Sequence, residues 1–167
     1  MHRLVDNIPR NPRGHVLGIV GLGNIGKKLA YKALTALGMK THYYYVVRWL
    51  KEVKEELEAT FHPTLHDLLG VADCVTLHTP FNAHTQDLIN KEAFAAIKHG
   101  ARLVSSSRGQ VVNANALVEA LQSGWLAAAG LDVHYHEPRI SRVLADMDNV
   151  TLTCHNGGAA LTTRLMQ

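Results

Sequence analysis

The sequence is poor in the features that commit a chain to a specialised class. Its 167 residues include only two cysteines, Cys74 and Cys154, both in apolar, strand-like runs and neither in a close-spaced Cys/His motif. A disulfide framework and a zinc ribbon are therefore excluded, and a reducing compartment is implied. No apolar run reaches the ~20 residues that a bilayer core requires. The opening residues Met1-His2-Arg3-Leu4-Val5-Asp6 lack the apolar heart of a secretory signal. The expectation is a cytoplasmic chain with no membrane partner. The 17 Lys and Arg outnumber the 14 Asp and Glu, yet they are dispersed and never form a block, so no nucleic-acid partner is expected. Repeats and low-complexity tracts are missing too, and a chain of this length buries one good core.

What is present is organised around Val16-Leu17-Gly18-Ile19-Val20-Gly21-Leu22-Gly23-Asn24-Ile25-Gly26. A β-branched apolar run passes over three glycines into Lys27-Lys28-Leu29-Ala30-Tyr31-Lys32-Ala33-Leu34, whose apolar positions recur at helical spacing. Strand, tight turn and helix form the layout that suits a dinucleotide. Gly21 permits the sharp turn, Gly23 admits a pyrophosphate close to the backbone, and Gly26 lets helix and strand pack. The free N–H groups and positive dipole end of the helix then face the phosphates.

Residues 1–13, with Pro9, Pro12, Arg3, Arg10 and Arg13, show no period and read as a lead-in to a domain spanning 14–167. The first helix is predicted to run to Leu37 and stop at Gly38. Further strands are predicted at 39–47, 73–78, 101–105, 126–133 and 150–153. Between them lie a charged helix at 51–59, a short helix capped by Thr64, a helix at 91–98, one capped by Asn113 or Asn115 and ended by Gly124, and a short one at 141–145. Strands alternating with helices imply an α/β, Rossmann-type, doubly wound parallel sheet with helices on both faces. The polar clusters at 21–26, 78–80, 106–109, 134–138 and 155–158 each follow a predicted strand. They should line one crevice at the carboxyl ends of the strands.

These clusters resemble the NAD(P)-binding domain of the D-isomer-specific 2-hydroxyacid dehydrogenases. The resemblance covers residues 14–165 and rests on an ordered series: Gly21-Leu22-Gly23-Asn24-Ile25-Gly26, His78-Thr79-Pro80, Ser107-Arg108-Gly109, Gly130-Leu131-Asp132-Val133, His136-Glu137-Pro138 and His155-Asn156-Gly157-Gly158. It implies that Arg108 holds the substrate carboxylate and polarises the reacting carbonyl, for which its planar fork suits. It also implies that His155 is the general acid and base, with Glu137 orienting its imidazole. Asn24 and Ile25 match pyrophosphate contacts, and Thr79, Ser106 and Ser107 the nucleoside side. Asp132 matches a carboxylate near the nicotinamide amide, and Gly157 and Gly158 complete the cofactor set. The implied partner is a small 2-oxo or 2-hydroxy acid, and the family commonly dimerises through this domain.

Duller readings stand beside these. Arg108 can serve as a loop cation, Glu137 as a solvated residue before Pro138, and His155 as one of 11 histidines. His134 and His136 near Glu137 invite a metal, but no third ligand has a suitable spacing, so none is expected. Cys154 and His155, as neighbours on an extended segment, point apart and do not form a nucleophile–base pair.

The sequence also departs from the family pattern. The acidic residue that takes the adenosine ribose should fall about 20 residues past the last glycine, and Tyr45 stands there. Without a carboxylate the repulsion against a 2′-phosphate is gone, and Arg48 lies nearby, so NAD and NADP both stay open. The family's second, substrate-binding domain is not found, which leaves two readings: an oxidoreductase or its cofactor-binding catalytic half, and a truncated dinucleotide-binding module without turnover.

Overall fold

A computed structural model describes residues 11–46 and 56–158. Seven parallel strands form one sheet in the order β3-β2-β1-β4-β5-β6-β7. They are β1 (Val16–Val20), β2 (Lys40–Tyr44), β3 (Thr60–Phe61), β4 (Cys74–Leu77), β5 (Arg102–Ser105), β6 (Ala128–Leu131) and β7 (Val150–Leu152). The helices are α1 (Asn24–Leu37), α2 (Leu65–Val71), α3 (Lys91–Ala96), α4 (Ala114–Gln122) and α5 (Arg142–Ala145), with a 3-10 turn at Gly109–Val111. β1 pairs with both β2 and β4, so the strand order reverses beside it. That reversal opens a crevice at the carboxyl ends of the strands, where the glycine turn lies.

Alternation along β1 assigns the two faces. Leu17 and Ile19 pack with Ala30 and Ala33 of α1 and with Tyr43 of β2. Gly18 and Val20 face the other way. A Cβ on Gly18 would lie 2.7 Å from that of Ala72, just past α2, and Val20 joins the larger cluster with Leu68, Val75, Leu103, Leu117 and Leu131. Each such fully buried leucine contributes about 2 kcal/mol of transfer free energy. Both predicted faces of helices are thus present.

Local chemistry sets the helix ends. Gly38 caps α1 in the left-handed region at φ 62°, Thr64 accepts from the Asp67 amide at 3.1 Å, and of the two candidates for α4 it is Asn113 that accepts from the Ala116 amide, at 3.0 Å. Most predicted boundaries shift inward: β2 ends at Tyr44 rather than residue 47, and α3 at Ala96 rather than 98. β3 was not expected, because two residues are too short to show alternation. Of the lead-in only Asn11, Pro12 and Arg13 are described; they close a turn in which the His15 amide meets the Pro12 carbonyl at 3.1 Å. Arg48 and most of the predicted charged helix lie outside the described residues.

Candidate functional site

The glycine turn is shaped by close approaches. Gly21 has φ 98°, and a Cβ there would come within 2.9 Å of the His78 backbone. A Cβ on Gly26 would sit 2.4 Å from the Gly21 carbonyl oxygen, so glycine is what allows α1 to start against the turn. Gly23 differs: a Cβ there meets nothing within 4 Å. It is the N-cap of α1, supplies no side-chain cap, and no acidic residue occupies the first turn. The first-turn amides at Asn24, Ile25 and Gly26 have no acceptor within the helix. Ile25 leaves 69% of its surface exposed beside them. Next to the turn, the Thr79 hydroxyl is buried with no hydrogen-bond partner among the described residues. Open space over Gly23, unpaired helix-start donors and an orphaned hydroxyl fit an anionic dinucleotide. Tyr45 follows β2 half-buried, packed against the α1 cluster.

Across the crevice, the loops after β5, β6 and β7 carry the predicted reacting groups. Adjacent strands are about 4.8 Å apart, so topology alone brings Arg108, Glu137 and His155 to neighbouring positions on the same rim as the glycine turn. The His155 Nδ1 lies 2.9 Å from Glu137 Oε2, with side-chain exposures of 43% and 35%. Glu137 Oε1 accepts from the His134 amide at 2.9 Å. Partial burial works against the charged form of Glu137, but the hydrogen bonds from the His155 ring and the His134 amide, with both imidazoles nearby, hold the carboxyl below its ordinary range.

His155 adopts φ 51°, in the left-handed region that non-glycine residues seldom enter. Asp132 holds the turn in that state. Its carboxylate accepts from the Asn156 amide at 3.0 Å, the Gly157 amide at 2.9 Å and the Thr153 hydroxyl. Those bonds outweigh partial burial and keep the Asp132 carboxyl below its usual range. A Cβ on Gly157 would lie 2.8 Å from Asp132 Oδ2, whereas Gly158 has open space.

Arg108 is exposed, and its Nη1 donates to the Ser107 carbonyl at 2.7 Å. Ser106 is exposed and Ser107 is buried, the latter turned toward Ser105 with oxygens 3.4 Å apart. Gly109 ties this loop to the next: a Cβ there would meet the His134 carbonyl oxygen at 2.0 Å, and Gln110 Nε2 donates to the Tyr135 carbonyl at 3.1 Å. Sequence reasoning did not assign the bracing roles of Gly109, Thr153 and His134. Gly109 carried a signal as the last residue of its motif and His134 as the first of the 134–138 cluster, whereas Thr153 carried none.

With this geometry in hand, comparison with known proteins is decisive. The family model for the D-isomer specific 2-hydroxyacid dehydrogenase, NAD binding domain, matches residues 5–157. The chain belongs to this family. It is 44% identical over 151 residues to glyoxylate reductase of Pyrococcus horikoshii, covering 90% of this chain and 44% of that protein. It superposes on the crystal structure of Rhodotorula graminis D-mandelate dehydrogenase with TM-score 0.91 and 47% identity, covering 92% of this chain and 45% of that one. A D-isomer specific 2-hydroxyacid dehydrogenase from Xanthobacter autotrophicus, solved with NADPH, matches at TM-score 0.79 and 30% identity over 89% of this chain and 60% of that one. The chain thus spans less than half the length of the first two relatives, and the part it matches is the NAD-binding domain of the dehydrogenase family. Among the described residues no helix is long and apolar enough to cross a membrane.

Proposed function

We propose that the chain binds NAD or NADP and takes part in interconverting a 2-oxo acid and a D-2-hydroxy acid. The observation that carries this reading is the Glu137–His155 pair, 2.9 Å apart, on the rim of the sheet that also bears the glycine turn. Dinucleotide binding alone has no use for such a pair. Arg108 receives the substrate carboxylate in its planar fork. His155 delivers a proton to the carbonyl oxygen in reduction and removes it in oxidation, while Glu137 fixes the orientation of the ring. When bound, the nicotinamide supplies or accepts the hydride. Asn24 and Ile25 offer backbone amides to the pyrophosphate. Thr79 and Ser106 face the nucleoside, and Ser107 backs that wall. Asp132 contributes both by setting the His155 turn and by its place near the nicotinamide amide.

Tyr45 brings no carboxylate to the end of β2, so a 2′-phosphate meets no repulsion there. The relatives named glyoxylate reductase and D-mandelate dehydrogenase support a small 2-oxo acid as substrate. A homodimer formed through this domain and a cytoplasmic location complete the reading. Fluorescence titration with NADH and NADPH is expected to give saturable binding. Steady-state absorbance at 340 nm with glyoxylate, hydroxypyruvate and branched 2-oxo acids is expected to show turnover that His155→Gln abolishes. Clear NADH binding with no turnover on any acid would instead identify a binding module.

A further inference from the structure

We propose that His134 is a positioning residue, one that holds the Glu137–His155 pair together from behind without touching substrate. The inference rests on His155 being the proton donor. His134 is 7% exposed and acts in two directions. Its backbone amide donates to Glu137 Oε1 at 2.9 Å, and its ring Nε2 lies 2.8 Å from the Thr153 carbonyl oxygen. A carbonyl only accepts, so Nε2 carries the proton. One residue therefore grips the carboxylate through its main chain and, through its side chain, the strand end two residues before His155.

Gly109 and Gln110 hold the start of the loop at His134 and Tyr135, but packing does not hold its outer part, where Glu137 lies. A cavity of about 730 Å³ opens beside it, bounded by Gln110, Leu117, His134, Tyr135, Glu137 and Leu144. The loop that carries Glu137 has a void on one flank, and its residues from His136 to Ser141 are exposed. The opposing segment is equally constrained by bonds and not by burial: Thr153 gives its amide to the Leu131 carbonyl at 3.0 Å and its hydroxyl to Asp132, and His155 sits in the left-handed region. These contacts fix the β7 end to β6 itself. Among the described residues, the His134 ring is the side chain that ties this segment to the Glu137 loop one step further out, apart from the reacting pair. Without the ring, the His134 amide still holds Glu137 and Asp132 still holds the His155 turn, but the side-chain link between those two segments is left to the Glu137–His155 hydrogen bond in a half-exposed setting, where such bonds are weak.

The test compares His134→Leu, which deletes the ring donor, with His134→Gln, which returns an N–H near the same place. Turnover, NADH affinity, urea stability and the His155 ring tautomer, read by long-range proton–nitrogen NMR, are followed together. The expected result is a fall in kcat of about 10- to 100-fold in His134→Leu, the scale of a misplaced catalytic group. NADH affinity should stay within about two-fold, and His134→Gln should recover most of the rate. The His155 proton should leave Nδ1 in the Leu variant and return in the Gln variant, because the hydrogen bond made by one ring nitrogen sets the tautomer. His134→Ala, which adds no bulk, replaces the Leu variant should it fail to fold. An unchanged kcat with lowered stability overturns the proposal, as does equal behaviour of the Leu and Gln variants. If the wild-type chain shows no turnover, the functional reading fails for this chain, and the tautomer still decides on its own whether His134 sets the pair.

Discussion

At the residue scale, the three glycines of the turn are unequal, and the difference separates folding from binding. A Cβ on Gly26 runs into the Gly21 carbonyl at 2.4 Å, whereas one on Gly23 meets nothing within 4 Å. Gly26→Ala is expected to lose about 1–3 kcal/mol to overpacking and to weaken NADH binding as a consequence. Gly23→Ala is expected to cost no more than about 1 kcal/mol, the scale of an N-cap exchange, yet to weaken NADH binding at least about ten-fold, because a methyl group intrudes where the pyrophosphate approaches. Urea unfolding and fluorescence titration on both variants check the contrast; equal losses of stability would refute it. Glu137 gives a second test. Its carboxyl is held below its ordinary range despite partial burial, so it stays charged wherever an imidazole titrates. Glu137→Gln removes that charge and replaces one of the two acceptor oxygens, which serve the His134 amide and the His155 ring, with an NH2 donor; kcat/KM measured at 340 nm is expected to fall about 100-fold or more, with NADH affinity little changed.

At the scale of elements, the site is assembled by loops that lock onto one another above a regular sheet. The regular part was legible: β-branched runs ending in glycine or polar clusters place six strands, and caps such as Thr64 and Asn113 fall where Ser, Thr and Asn are rewarded. β3 was not, since two residues carry no period. The interlocking of the loops was not legible either, because it depends on contacts between residues remote in the sequence. Nothing near Thr153 announces that its hydroxyl meets Asp132, 21 positions earlier. Gly109 shows the principle best, since glycine is required there not by its own φ but by a carbonyl that arrives from the next loop. Gly109→Ala would place a methyl group 2.0 Å from the His134 carbonyl oxygen. It is expected to cost about 3 kcal/mol and to push the Arg108 loop away from the loop bearing Glu137. Loss of NMR cross-peaks between Gln110 and Tyr135, with the β1 and α1 signals unmoved, would locate the damage there.

At the scale of the whole molecule, two hydrophobic clusters on opposite faces meet along β1 and β4, and their junction is pinned at the amino end of the sheet by Asp73. Its Oδ2 accepts from the Val16 amide at 2.8 Å and lies 3.3 Å from His15 Nδ1. Its Oδ1 accepts from Lys98 at 2.6 Å, and its carbonyl receives the Arg102 amide at 3.0 Å. One residue thus joins the starts of β1, β4 and β5. Partial burial opposes the charge of Asp73, but the Lys98 and Val16 hydrogen bonds and the Lys98 charge prevail, so its carboxyl is held below the usual range. A pKa depressed in the folded state means stabilisation that is fully present above the unfolded value, near 4, and that disappears as pH falls through the lower, folded value. Thermal unfolding scanned from pH 7 down to about pH 2 should therefore show a drop in wild-type Tm that begins near pH 4. Asp73→Asn should start about 1 kcal/mol less stable at neutral pH and lose less on acidification, so that the two curves converge in acid. Parallel curves would mean that the staple contributes through shape and not through charge.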